Sequence, residues 1–208
     1  MKKILSDIPF ISQLGTYPTG CESVSCTMAL QHLGWKGTVD DFIALLPKAA
    51  PPCPGPDGSY VGPDPEDFFP GDPYSPDGWG CFAPCLAATI KQIPGYQTII
   101  YRGLPLATVK SFIDAGEPVV FWGTIEFRPP RKTLAWLTPK GRRVQWISPM
   151  HCTLLIGYDE SGFYFNDPTG GKDAYYSLAD VKAGYEAQGS QIMIVRKDEA
   201  NASSCLTL

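Results

Sequence analysis

Residues 17–26 read Tyr-Pro-Thr-Gly-Cys-Glu-Ser-Val-Ser-Cys, and this stretch decides how the rest of the chain is interpreted. Thr19 and Glu22 have the Thr-x-x-Glu spacing of a helix capping box, and apolar residues follow at helical spacing until Gly34. Cys21 is therefore predicted in the first turn of a helix, where unpaired backbone N–H groups and the helix dipole stabilise negative charge. A thiol in that position is expected to titrate low and to react as a thiolate. On position alone, a small buried apolar cysteine remains the alternative.

A base for this thiol has to come from one of two histidines. His32 lies late in the same predicted helix, about three turns from Cys21, so it cannot reach the thiol. His151 begins a predicted strand, His-Cys-Thr-Leu-Leu-Ile-Gly-Tyr, in which a rigid sheet would hold its ring. His151 is therefore the candidate base, and a structural histidine with satisfied hydrogen bonds is the alternative.

The next predicted strand begins at Gly162 and ends in Asn166-Asp167, and Pro168 follows it. If the two strands form a hairpin, the end of the second lies beside the start of the first. Asp167 or Asn166 would then neighbour His151 and orient its ring, as a third group must in such sites. A turn residue before proline is the alternative for Asp167.

Acyl transfer also needs donors for the developing oxyanion. Gln13 lies eight residues before Cys21, on the segment that leads into the helix. Its side-chain amide and the Cys21 backbone N–H are the predicted pair. A glutamine in this position alone does not indicate a catalytic site. It supports one only together with Cys21, His151 and the Asn166-Asp167 pair.

Several motifs together carry a resemblance to a known family. The motifs are Gln13, the stretch 17–25, Gly62-Pro63-Asp64-Pro65, Gly71-Asp72-Pro73, Gly78-Trp79-Gly80-Cys81-Phe82-Ala83-Pro84 and Asn166-Asp167-Pro168. They resemble the C39-like family of papain-fold cysteine peptidases, and the likeness extends from about residue 8 to 195.

The resemblance implies an α+β, papain-like fold in which an N-terminal nucleophile helix packs on a mostly antiparallel sheet. It also implies a catalytic set of Cys21 as nucleophile, His151 as base, Asp167 as orienting residue and Gln13 as oxyanion donor. The family is similar to the peptidases that cut double-glycine leader peptides beside ABC transporters. This sequence shows no transporter domain, so that substrate is not carried over. We expect Trp79, Gly80 and Asn166 to contact the substrate.

The order of elements predicts the same class, because the cysteine-bearing helix comes first and the mostly antiparallel strands come last. We predict one domain over residues 1–196 and a frayed tail over 197–208. Within the domain, residues 47–80 hold 10 of the 21 prolines but also several aromatic residues. Disordered linkers are usually poor in aromatic residues, so this insertion is predicted to be an ordered loop near the site.

The composition limits the partners. A net charge of -4 gives no basic field for a phosphate backbone, which argues against nucleic acid as the main partner. No apolar run approaches the roughly 20 residues that span a bilayer, and no secretory signal follows the N-terminus. We therefore expect a cytoplasmic protein, and export with a leader that has been removed is the alternative. An odd number of cysteines, seven, is expected to be mostly reduced. The expected partner is a peptide or protein substrate, and no cofactor is needed.

Three rival interpretations remain. The same Cys-His-Asp machinery serves transpeptidases, amidases and transglutaminase-like enzymes, in which an amine can replace water. A non-catalytic peptide-binding module on the same fold is the second. A thiolate metal cluster of Cys53, Cys81, Cys85 and Cys152 is the third, although the spacing is not a tight C-x2-C pair.

Two further features are open. One is a basic hairpin that is either a solvated flap or a grip on an acidic substrate, and the other is a set of tryptophans that either line a cleft or cover the core. The hairpin residues are Arg128, Arg131, Lys132, Lys140, Arg142 and Arg143, and the tryptophans are Trp79, Trp136 and Trp146.

Overall fold

The computed structural model describes residues 2–198, so most of the predicted tail, 199–208, lies outside the described residues. The helices are α1 (Cys21–His32), α2 (Val39–Leu45), α3 (Ala83–Ile90), α4 (Leu106–Asp114) and α5 (Leu178–Ala187). The first strands are β1 (Lys3–Ile4), β2 (Lys48–Ala49), β3 (Cys53–Pro54), β4 (Tyr60–Val61), β5 (Phe69–Pro70), β6 (Tyr96–Arg102) and β7 (Val119–Thr124). The later strands are β8 (Arg131–Leu137), β9 (Arg143–Ser148), β10 (Met150–Tyr158), β11 (Gly162–Asp167), β12 (Gly171–Ser177) and β13 (Gln191–Lys197).

The central sheet has the order β12-β11-β10-β7-β13-β6, and every neighbouring pair along it is antiparallel. Strand β7 is buried along its whole length because helices cover both faces of the sheet. Val120 and Trp122 pack in the core with α1 and α3, whereas Val119 and Phe121 pack with α4 and α5. The predicted α+β fold, with the first helix packed on an antiparallel sheet, is confirmed.

Helix α1 packs against β10 and β7, and ten of its twelve residues are buried. The predicted capping box at its start is wrong. Gly20 is the N-cap and makes no side-chain cap, and the Thr19 hydroxyl instead donates to the carbonyls of Asp72 and Ser75. The helix begins inside the protein, so Thr19 binds carbonyls of the insertion, and Glu22 binds the Cys81 N–H instead of the backbone of the N-cap.

The insertion 47–80 is folded. Strands β2 and β5 pair with each other, and β3 and β4 join β8 and β9 in a small sheet. The Trp136 indole donates to the Pro63 carbonyl at 2.9 Å, and Arg142 forms an ion pair with Asp64. The insertion therefore lies against the basic hairpin.

Helix α2 begins with a complete capping box. The Thr38 hydroxyl accepts from the Asp41 N–H at 3.2 Å, and the Asp41 carboxylate accepts from the Thr38 N–H at 2.8 Å. Thr38→Ala is expected to lower the free energy of unfolding by about 1 kcal/mol, because it removes the acceptor for the Asp41 N–H. Urea denaturation followed by circular dichroism measures this change. Exposed Thr108→Ala is the control and should stay within about 0.5 kcal/mol of the wild type; an equal loss in both variants would contradict a role for the cap.

Candidate active site

Cys21 is the first residue of α1, and its side chain is only 6% exposed. The helix is held to β10 next to His151, because the buried Ser25 hydroxyl donates to the Cys152 carbonyl at 3.1 Å. The backbone of Cys152 also lies within hydrogen-bonding reach of the Cys21 thiol. The fold thus brings the start of α1 to the start of β10, where His151 lies.

His151 and Asp167 are neighbours across the β10–β11 hairpin, as the predicted pairing requires. The His151 Nε2 atom lies 2.7 Å from Asp167 Oδ1, and both side chains are almost completely buried. Because Nε2 faces Asp167, Nδ1 is the ring nitrogen left for another partner. His32, the other histidine, lies at the far end of α1.

Asp167 is held by further donors. Tyr176 donates its hydroxyl to Oδ2 at 2.7 Å, and the Thr169 N–H and hydroxyl donate to Oδ1 at 2.9 and 3.0 Å. Burial raises the pKa of Asp167, but the hydrogen bond and charge of His151, with Tyr176 and Thr169, outweigh it and hold the pKa well below its usual range. Asp167 is therefore a fixed, ionised acceptor for the His151 ring.

The hydrogen-bond partner of the Cys21 thiol is Glu22, with Sγ 3.2 Å from Oε2. Burial first, and then the Glu22 charge, raise the pKa of Cys21 well above its usual value. Both effects oppose the low-titrating thiol that the sequence predicts. That prediction considered the helix N-terminus alone, and a buried carboxylate one residue away acts in the opposite direction.

Glu22 is completely buried, which sequence reasoning missed because its spacing from Thr19 indicated a cap. Oε1 accepts from the Cys81 N–H at 2.7 Å, and the carboxylate also receives its own backbone N–H. Burial raises the pKa of Glu22 to about 7 despite these donors. A signal that could have found it is the direct adjacency of an acidic residue to the candidate nucleophile on a buried helix.

Gln13 is buried near the start of α1, but its amide is engaged with the chain. Nε2 donates to the Tyr17 and Pro18 carbonyls at 3.2 and 3.1 Å. Among the described residues, Oε1 has no hydrogen-bond partner. In this conformation the Gln13 amide hydrogens point to backbone carbonyls, so the predicted oxyanion role needs one of these bonds to open.

The three predicted substrate contacts lie in different surroundings. Trp79 is partly buried and packs edge-on against Trp136 and Trp146, at centroid distances of 5.3 and 5.4 Å. Gly80 is buried with φ +142°, and a side chain there would collide with Glu22 and Met150. Gly80 therefore leaves space for Glu22.

The expected substrate contact by Asn166 is corrected by the structure. Asn166 is fully buried, and its amide donates to the Pro9 carbonyl at 2.9 Å while its carbonyl oxygen accepts from the Asp173 N–H at 3.3 Å. A side chain without exposed surface cannot touch a substrate in this structure. Asn166 instead braces the segment before α1 against the hairpin that carries Asp167.

The basic hairpin is partly neutralised by its neighbours. Arg142 and Lys140 form ion pairs with Asp64 and Asp67 of the insertion, and Arg128 pairs with Glu126. Trp136 and Trp146 are buried in the core, so they cover it rather than line an open cleft. Ion pairs thus join the hairpin to the insertion, and fewer of the hairpin's basic side chains are available to bind an acidic substrate.

The cysteines proposed for a metal cluster do not assemble into one. Cys81, Cys85 and Cys152 are buried, whereas Cys53 is exposed on β3. Across residues 2–198, no group of three or more His, Cys, Asp or Glu side chains is arranged to hold a metal ion. Over the same residues, every helix is too short or too polar to cross a membrane.

The fold is that of the papain-like peptidases, and comparisons with known proteins agree. A crystal structure of a candidate C39-like peptidase from Bacillus anthracis superposes with a TM-score of 0.82 at 28% identity, over 95% of this chain and 98% of that one. A double-glycine-motif protease from an AMS/PCAT transporter, solved with its leader peptide, has a TM-score of 0.54 at 14% identity over 95% and 99% of the chains. At that identity the second likeness concerns the fold alone.

The family model for the Peptidase_C39 like family matches residues 5–193, and the chain belongs to that family. An uncharacterized protein of Bacillus subtilis (strain 168), YvpB, is 26% identical over 181 residues, which are 86% of this chain and 69% of that protein. The resemblance seen in the sequence motifs is thus confirmed at the level of the family.

The raised pKa of Glu22 predicts a pH-dependent stability. The folded state keeps a proton on Glu22 between the usual pKa of 4.5 and about 7, whereas the unfolded state releases it, so Glu22 lowers stability as pH rises through this window. Glu22→Gln is therefore expected to raise the free energy of unfolding relative to wild type more at pH 8 than at pH 4. The difference between the two pH values should be on the order of 3 kcal/mol. Urea denaturation at each pH measures the difference.

The control for this prediction is Glu186→Gln, which removes the same charge from an exposed site on α5. It should show no comparable change between pH 4 and pH 8. Asp167 acts in the opposite direction and below this window, because its pKa is lowered and its contribution is lost only as pH falls below about 3.9. A Glu22→Gln difference that does not depend on pH would contradict the raised pKa.

Proposed function

We propose that this chain is a cysteine peptidase that hydrolyses peptide bonds through Cys21, His151 and Asp167. The observation that carries the proposal is the buried His151–Asp167 pair, with Nε2 2.7 Å from Oδ1, beside a helix that begins with Cys21. A nucleophile, a base and a group that orients the base are the parts that nucleophilic acyl transfer needs. Family membership and the papain-like fold support the same activity.

The proposed mechanism begins with transfer of the Cys21 proton to Nδ1 of His151, and the thiolate attacks the peptide carbonyl. The oxyanion forms beside the Cys21 backbone N–H at the helix N-terminus, with Gln13 as the second donor once its amide is released. Protonated His151 then gives its proton to the leaving amine, which leaves a thioester. Neutral His151 takes a proton from water, the hydroxide attacks the thioester, and the acid product and the Cys21 thiol are released.

The proposed partner is a peptide or protein substrate. One structural relative is a protease solved with its leader peptide, which places a peptide on this fold in that protein. Here the insertion reaches the proposed site from one side, because the Cys81 N–H that follows it binds Glu22 next to the nucleophile. Trp79 lies on the same segment and is partly exposed, so it remains the proposed substrate contact. The cytoplasmic location stays a prediction of the sequence.

Replacement of either reacting side chain tests the activity. Cys21→Ala is expected to abolish hydrolysis of a peptide library, and His151→Ala to lower the rate by about 10²- to 10⁴-fold, because a positioned base contributes that much. Mass spectrometry of the new termini measures hydrolysis. Both variants should keep the wild-type circular dichroism spectrum.

Cys53→Ala is the matched control, because Cys53 is an exposed thiol on β3. It should retain full activity. Wild-type rates in Cys21→Ala or His151→Ala would end the proposal. An added amine acceptor in the same assay separates hydrolysis from acyl transfer, since a transferase would give amide products in place of free acids.

A further inference from the structure

One group beside the nucleophile has no part in the mechanism described above. Glu22 is completely buried, and its Oε2 atom lies 3.2 Å from the sulfur that is proposed to react. A buried carboxylate is unfavourable unless its charge is paired as well as hydrogen-bonded, and carboxylates with perturbed pKa values cluster at functional sites, so the position of Glu22 requires an explanation.

We propose that Glu22 is a further residue of the catalytic site, which binds the hydrogen of the Cys21 thiol and restrains formation of the thiolate until His151 takes the proton. The inference rests on the proposed function, since it concerns the same nucleophile. It adds a residue that competes with His151 for the thiol hydrogen.

The carboxylate is held in place from several sides. Oε1 accepts from the Cys81 N–H at 2.7 Å, and the Cys81 carbonyl in turn accepts from the Trp122 indole at 3.0 Å. Gly80 lies against the carboxylate and leaves no room for a side chain of its own. With Oε1 fixed by the backbone, Oε2 is directed at the Cys21 sulfur. This geometry is that of a positioned acceptor and not of a side chain that happens to be near.

The charges around Glu22 give the direction of its effect. The titratable groups that act with it are Cys21 and Cys26 from α1, His151 and Cys152 from β10, and Cys81 at the end of the insertion, with Asp167 beyond His151. Among these, only His151 can carry a positive charge. Above about pH 7, where Glu22 is ionised, a Cys21 thiolate beside Glu22 and Asp167 would place three negative charges against one imidazolium in a buried site. Glu22 therefore disfavours the thiolate.

The proton balance of the step is simple. The S–H bond of Cys21 breaks, the proton goes to Nδ1 of His151, and the sulfur keeps the electron pair. In this step Glu22 loses the hydrogen bond from the Cys21 thiol and gains no other in its place. The presence of Glu22 therefore favours the starting thiol. No further reactant is required.

Glu22→Gln tests this directly. Glutamine keeps an oxygen for the Cys81 N–H, removes the negative charge, and presents an N–H donor to the sulfur in place of an acceptor. The pH dependence of Cys21 alkylation by iodoacetamide, read peptide by peptide in a mass spectrometer, should shift to lower pH. A shift of one pH unit corresponds to about tenfold faster alkylation at pH 7, and we expect at least that. Glu186→Gln is the matched control and should follow the wild-type curve.

The outcome that overturns the proposal is an unchanged alkylation curve for Cys21 in folded Glu22→Gln, because Glu22 would then only anchor the Cys81 backbone. If this variant does not fold, the wild-type protein decides. Its Cys21 should be alkylated only at a pH above the usual titration range of a cysteine thiol, and rapid alkylation of Cys21 below that range would overturn the proposal. Peptide hydrolysis is measured separately on the same proteins. A shifted alkylation curve without hydrolysis by the wild type would reject the proposed peptidase activity and leave the role of Glu22 standing.

Discussion

The burial of the first helix against the sheet is the constraint on which the candidate site depends. Ten of the twelve residues of α1 are buried, and the helix packs on β10 and β7. A hydrogen bond from Ser25 to the Cys152 carbonyl fixes its position along β10. Since His151 directly precedes Cys152, this packing brings the start of the helix and the candidate base together. The same burial removes water from around the thiol, so nearby charges are screened less there than at the surface.

Much of this arrangement could be predicted from the sequence because it depends on local patterns. The apolar spacing after Cys21 predicts a helix, and the two strands around Asp159–Ser161 predict a hairpin that brings His151 beside Asp167. Their 2.7 Å contact follows from that pairing. The sequence has only two histidines, and His32 lies at the far end of the first helix, so His151 was the candidate base. The roles given to these residues remain predictions, whereas their proximity is observed.

The parts that could not be predicted depend on long-range packing. Thr19 and Glu22 have capping spacing, yet the insertion binds the Thr19 hydroxyl through the carbonyls of Asp72 and Ser75. The Cys81 backbone binds Glu22. Gln13 and Asn166 were likewise assigned from residue type. The Asn166 amide is bound to the distant Pro9 carbonyl, whereas the Gln13 amide is bound to the nearby Tyr17 and Pro18 carbonyls. A side chain that can hydrogen-bond in several ways takes the partner that the tertiary structure supplies.

Two carboxylates flank the candidate Cys21–His151 pair, and their surroundings drive their pKa values apart. Asp167 receives hydrogen bonds from His151, Tyr176 and Thr169, which together overcome its burial and keep it ionised. Glu22 is buried as deeply but has fewer compensating donors, and its pKa rises to about 7. Carboxylates separated in this way usually have separate tasks. In the proposed mechanism, Asp167 supports the base in its protonated form, while Glu22 supports the nucleophile in its neutral form. Burial, followed by the charges of Glu22 and Asp167, raises the pKa of Cys21 and so opposes the effect of the helix N-terminus.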